Sequence, residues 1–185
     1  MQRFSLTCAQ PVAILALILL AAAGRPAAAQ APTTATPAPT AAPALISLAE
    51  ARAIIQAAED FARGRNACMA VVVVDQSANV VSSDRMDACS PSNTHLAEGK
   101  AFASVMFRQT TEALGELAKS RPDRYFGIIN MYPGRVYLVG GGVPLVVDGK
   151  VVGAVGVAGL PQGVDELAGR AGIAAWEALR AKNKK

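Results

Sequence analysis

Leu145-Val146-Val147-Asp148-Gly149-Lys150-Val151-Val152-Gly153-Ala154-Val155-Gly156-Val157-Ala158 is the stretch on which the architecture of this chain turns. Two β-branched runs flank Asp148-Gly149, a dipeptide suited to a two-residue turn whose central residues both take positive φ. The spacing predicts a hairpin with strands over Leu145–Asp148 and Val151–Ala158. Gly153, Gly156 and Gly159 imply close approach of another backbone to the second strand. Upstream, Arg135–Val139 reads as a further strand. Met69–Val74 is continuous and apolar, as in a strand covered on both faces, and Asp75–Asn79 turns it back into Val80–Arg85. Ser47-Leu48-Ala49-Glu50 is a capping box, followed by Leu48, Ala51, Ile55, Ala58 and Ala62 on one helical face that ends near Gly64. Asn93 or Thr94 is placed to cap a helix to about Phe107. Thr110 caps another to Lys119, and Arg121-Pro122-Asp123 breaks the chain. A closing helix covers Val164–Ala181. These elements make an α+β layered domain, with an antiparallel sheet of about five strands and flanking helices.

The remainder of the chain sets its organisation. A composition of 52% hydrophobic and 17% charged residues excludes a disordered chain, and three cysteines exclude a disulfide-dense miniprotein. Arg3 precedes the apolar run Val12–Ala23, which is too short to span a bilayer and is followed by Ala27-Ala28-Ala29. Residues 1–29 therefore read as a signal peptide cleaved before Gln30. Cys8 precedes the apolar run, so it is not a lipoprotein anchor. Residues 30–44, nearly all Pro, Thr and Ala, read as a disordered linker, and residues 45–185 as one domain. The expected location is exported, periplasmic or extracellular, with no membrane span after cleavage. Loss of Arg3 and Arg25 with the leader lowers the net charge from +4, and the only dense basic run is the tail Lys182, Lys184 and Lys185. Nothing here suits a nucleic-acid partner.

Several stretches carry a family resemblance: Val71–Asp75, Arg85-Met86-Asp87, Lys100-Ala101, Gly141-Gly142-Val143-Pro144, Asp148-Gly149, Val152–Gly159 and Asp165-Glu166. In order and spacing they resemble the GlcG/HbpS family, also found as the C-terminal domain of PduO-type proteins. Three positions depart from its pattern: Ala78 and Ala88 where glycine is usual, and Ala158 where serine is common. The resemblance implies a profilin-like layered fold and a homo-oligomer. It also implies a tetrapyrrole ligand, haem first, because some members bind haem extracellularly; one docks on a sensor kinase, and others are linked to corrinoids.

On that reading His95, the one histidine, is the candidate axial ligand of haem iron, which takes a neutral imidazole; the plainer reading is a surface or cap histidine. Arg85 can clamp a propionate through its planar fork, and Lys100 can do so as a point charge. Alternatively both join an internal salt-bridge network with Asp75 and Asp87 as counterions. Gly141 and Gly142 form either a tightly packed loop or a pocket wall whose amides touch ligand. Cys68 and Cys89 flank the first hairpin within reach of a disulfide in an oxidising compartment; two free thiols and a thiolate ligand are the other readings. No phosphate-binding glycine fingerprint, nucleophile elbow, zinc motif or clustered carboxylates are present, which speaks against nucleotide, hydrolase and dedicated metal chemistry. Three functions stay open: a haem-binding module, an oligomeric sensor or accessory protein, and an enzyme on a small organic acid or aldehyde with Lys100 or Asp87 as acid or base.

Overall fold

The computed structural model describes residues 45–183. The signal peptide expected at 1–29 and the linker expected at 30–44 lie outside the described residues, as do Lys184 and Lys185. In chain order the elements are α1 (Leu48–Arg63), β1 (Ala70–Asp75), β2 (Val80–Arg85), α2 (Ser92–Phe107), α3 (Thr111–Ser120), α4 (Pro122–Met131), β3 (Gly142–Val147), β4 (Lys150–Ala158) and α5 (Val164–Asn183).

The sheet has four antiparallel strands in the order β2-β1-β4-β3. The Asp148-Gly149 turn forms as its residues dictate, with φ of 49° and 75°. β1 is buried along its first five residues because helices cover both faces. One core layer joins α1 and α5 to Val71, Val73, Leu145, Val155 and Val157. The opposite layer joins α2 to Ala70, Val72, Val74, Ala154 and Ala158. Gly156 sets how closely α2 lies on β4, since a Cβ there would run into the Ala97 carbonyl oxygen.

The fifth strand expected at Arg135–Val139 does not form; that segment is irregular. Its backbone is satisfied elsewhere. The Tyr137 amide donates to the Gly99 carbonyl (3.3 Å), and the Val139 carbonyl accepts from the Thr111 hydroxyl (2.7 Å). With those groups committed to α2 and α3, no ladder is available to it. Two helical expectations also change. α2 starts at Ser92 behind Pro91, without a side-chain cap from Asn93 or Thr94. Pro122 both ends α3 and opens α4 as its first residue, where its missing N–H costs nothing.

The capping box at Ser47 and Glu50 forms, and Glu50 does a second job. Its Oε1 accepts from Trp176 Nε1 (3.2 Å) and Arg180 Nη1 (2.7 Å), joining the start of α1 to the end of α5. Burial works to raise the Glu50 carboxyl, but donors from Ser47, Arg180 and Trp176 bring it below its usual range. Leu48 faces solvent, and Ile54 takes its place among the buried residues of α1.

Candidate functional site

α2 carries Lys100 inward, onto the end of β4, where the residue is 2% exposed. Its Nζ donates to Asp165 Oδ2 (2.6 Å) and to the Val157 carbonyl (2.8 Å). Asp165 lies in the first turn of α5, and its other oxygen accepts from the Leu160 amide (2.9 Å). Burial pushes the Asp165 carboxyl up, while the Lys100 ammonium and the Leu160 amide pull it back. The pair is a buried ion pair with most of its bonding capacity filled, the condition under which such a pair survives desolvation.

The glycine loop closes over this pair. Gly141 has φ of +127°, and a Cβ there would stand 2.9 Å from Lys100 Nζ and 2.6 Å from the Val157 oxygen. Only glycine allows both the conformation and the approach. The Gly141 carbonyl accepts from the Val157 amide (2.9 Å), and the Gly142 amide donates to the fully buried Thr111 hydroxyl (2.8 Å). The Gly142 amide is thus spent on the protein itself, and Lys100, Gly141 and Gly142 are brought together with Asp165 and Thr111.

The other sequence candidates lie elsewhere. Arg85 ends the edge strand β2, with β1 between it and β4; it is exposed and donates from Nη1 to the Cys89 carbonyl (2.6 Å). His95 is exposed in the first turns of α2, on a different side of that helix from buried Lys100. Neither residue hydrogen-bonds to Lys100, Asp165 or the glycine loop among the described residues. Cys68 and Cys89 form a disulfide with Cα atoms 5.6 Å apart, pinning the start of β1 to the loop before α2. The network expected around Asp75 and Asp87 is differently built. Asp75 accepts from the Ser77 and Asn79 amides and shapes its own turn (2.8 and 2.9 Å), and Asp87 is exposed. Lys100 pairs instead with Asp165, 65 residues away.

Asp165, Thr111 and Glu166 were not singled out as site residues by sequence reasoning. The signal available was Asp165-Glu166 beside a helix start, a pattern equally explained by the helix dipole. A groove of about 230 Å3 runs along the outside of the glycine loop, between α3 and the loop leading into α5. A smaller cavity of about 70 Å3 lies between α3 and α4, with Arg121 and Arg124 in its wall. Neither cavity is lined by His95 or Arg85. Among the described residues no group of three or more His, Cys, Asp or Glu could hold a metal ion, and no helix is long and apolar enough to cross a membrane.

A family model described as haem degrading protein HbpS-like matches residues 46–174. The chain is 29% identical over 113 residues to Protein GlcG of Escherichia coli K12, covering 61% of this chain and 81% of GlcG. A crystal structure of a double mutant of Streptomyces reticuli HbpS superposes with a TM-score of 0.66 at 30% identity, covering 79% of this chain and 97% of HbpS. The crystal structure of a PduOC:heme complex superposes with a TM-score of 0.65 at 25% identity, covering 71% and 94% of the two chains.

Proposed function

The chain belongs to the HbpS-like family, and from that premise we propose that it is an exported haem-binding protein working as a homo-oligomer. The observation that carries the reading is the likeness to a neighbour solved as a haem complex, over nearly all of that neighbour's length. Export rests on the leader pattern of Arg3, Val12–Ala23 and Ala27-Ala28-Ala29.

The donor set of the chain fits the group in part. His95 presents an exposed imidazole for the iron, and Arg85 an exposed guanidinium for a propionate. Lys100 is not available for that second task, because its ammonium is buried on Asp165 and the Val157 carbonyl. Its charge ties α2 to the end of β4 and the first turn of α5 instead. Haem, once bound, supplies a redox-active iron; the protein supplies the imidazole, the guanidinium and a rigid surface fixed by the Cys68–Cys89 disulfide. An exposed His95 leaves haem on an open face, so a second copy of the chain is the natural cover for the rest of the macrocycle.

A spectroscopic titration of the exported chain with haemin, run beside His95→Ala and Arg85→Ala, tests the reading. The expected result is a saturable one-to-one Soret shift, lost in His95→Ala and weakened about tenfold in Arg85→Ala, as removal of a charge-assisted pair implies. A shift that survives His95→Ala moves the iron ligand elsewhere, and no saturable shift abandons haem. Hydroxocobalamin in the same assay addresses the corrinoid alternative.

A second reading, an accessory protein acting through a protein partner, is favoured by α4. That helix buries none of its residues, and Phe126 and Met131 are 64% and 71% exposed.

A further inference from the structure

We propose that the groove beside the glycine loop is a binding site for the ammonium group of a small organic amine, with Glu166 as its anchor. The proposal does not depend on haem binding, since neither His95 nor Arg85 lines the groove.

Glu166 is the buried acid with bonding capacity to spare. It lines the groove while being only 6% exposed. Its Oε1 accepts both Nε (3.0 Å) and Nη2 (2.6 Å) of Arg170. Its Oε2 is buried and has no donor among the described residues. A buried acceptor left without a donor is unfavourable, and more so when charged, so a donor brought to it by a ligand recovers binding energy. The partner already present does not exhaust that potential, because the Arg170 side chain is about half exposed and engages a single oxygen.

The rest of the lining selects the sign and shape of the ligand. Glu112 and Glu116 on α3 also line the groove, and the cation among its lining residues, Lys119, is bound to Glu116 at 2.6 Å. Carboxylates therefore dominate the groove, which repels acids and draws cations. An ammonium offers three donors on a compact charge, enough to serve Oε2 and one further oxygen. The donor set does not suit a divalent metal, since the groove's three glutamates do not converge into a group that could hold a metal ion among the described residues. Leu138 and Val139 supply an apolar strip for a short alkyl or aryl body. Gly140 leaves the wall thin. A Cβ there would make only ordinary contact with Glu112, 3.6 Å away, so a larger side chain would enter the groove without backbone strain.

Titration of the whole chain with n-butylammonium chloride, followed by amide chemical shifts, tests the assignment against n-butanol and sodium butyrate. Saturable shifts at Gly115, Gly140 and Gly163 are expected with the ammonium and not with the alcohol or the acid. Glu166→Gln should weaken binding about tenfold or more, the loss expected when a hydrogen bond to a charged group is removed. Gly140→Val should block the groove to a similar extent while leaving the Glu166 carboxylate in place. Equal response to n-butanol, unsaturable shifts, or affinity unchanged in Gly140→Val would overturn the proposal. Should Glu166→Gln lose its fold with Arg170 unpaired, Gly140→Val decides alone. A haemin titration of Gly140→Val that matches the parent chain keeps this site separate from the haem reading.

Discussion

Lys100 spends its charge on two acceptors inside the protein, Asp165 Oδ2 and the Val157 carbonyl, beneath a glycine that any side chain would displace. Removing one member of such a pair leaves the other buried and uncompensated. Lys100→Met is therefore expected to cost about 3–5 kcal/mol at neutral pH. The loss has a sign in pH. Without the ammonium, burial is opposed by the Leu160 amide and no longer by a charge, and it holds the folded-state Asp165 carboxyl further above its ordinary value of 3.8. The folded variant then keeps a proton that the unfolded chain releases, so its stability is greatest below that value and falls as pH rises through the folded pKa. Urea unfolding at pH 4 and pH 7 should show the deficit relative to the parent chain shrinking on acidification. An equal deficit at both would mean that Asp165 is not the group left exposed to burial.

At the scale of elements, two turns tell how far local chemistry reaches. Asp148-Gly149 adopts the positive φ angles its residues favour, and the β3–β4 hairpin follows from sequence alone. The turn after β1 and the loop after β2 contain alanines where the resemblance leads one to expect glycine, and both take the left-handed conformation: Ala78 at φ 64° and Ala88 at φ 65°. A Cβ in that region costs about 1–2 kcal/mol. Ala88 is exposed, so Ala88→Gly is expected to stabilise the protein by about 1 kcal/mol. Ala78 is 8% exposed in the layer under α2, and losing its methyl offsets the relief by about 0.8 kcal/mol, so Ala78→Gly should come out near neutral. Denaturant midpoints at constant slope would separate the two, and a stabilised Ala78→Gly with an unchanged Ala88→Gly would reverse the account. Arg135–Val139 marks the limit of local reading. Its β-forming composition was legible, but the Gly99 carbonyl and the Thr111 hydroxyl, which claim its backbone, come from helices far away in sequence. α4 was missed because Pro122 signals a stop and a start with the same residue.

For the whole molecule, the surface not used internally becomes the main clue. α4 packs its partly buried Ile128 and Ile129 against the layer under α2, while its Phe126 and Met131 stand in solvent. On the oligomer reading, Phe126→Asp combined with Met131→Asp should lower the solution mass measured by light scattering, with the fold kept because neither side chain is buried. An unchanged mass would place the contact between copies elsewhere.

The sequence by itself determined the layered α+β class, the Asp148-Gly149 hairpin, the Ser47–Glu50 cap, the run of β1 buried on both faces and the family. Each is a local signal, written in periodicity or in the backbone angles that a residue tolerates, and needs no knowledge of distant contacts. Tertiary structure decided the number of strands, the burial of Lys100, its choice of Asp165 over Asp75 or Asp87, and the orphaned oxygen of Glu166. Those outcomes depend on α2 settling against β4 at Gly156 and on α5 returning its first turn to the same end of the sheet. A charge pairs with whatever packing delivers to it, and a separation of 65 residues leaves no trace in local pattern.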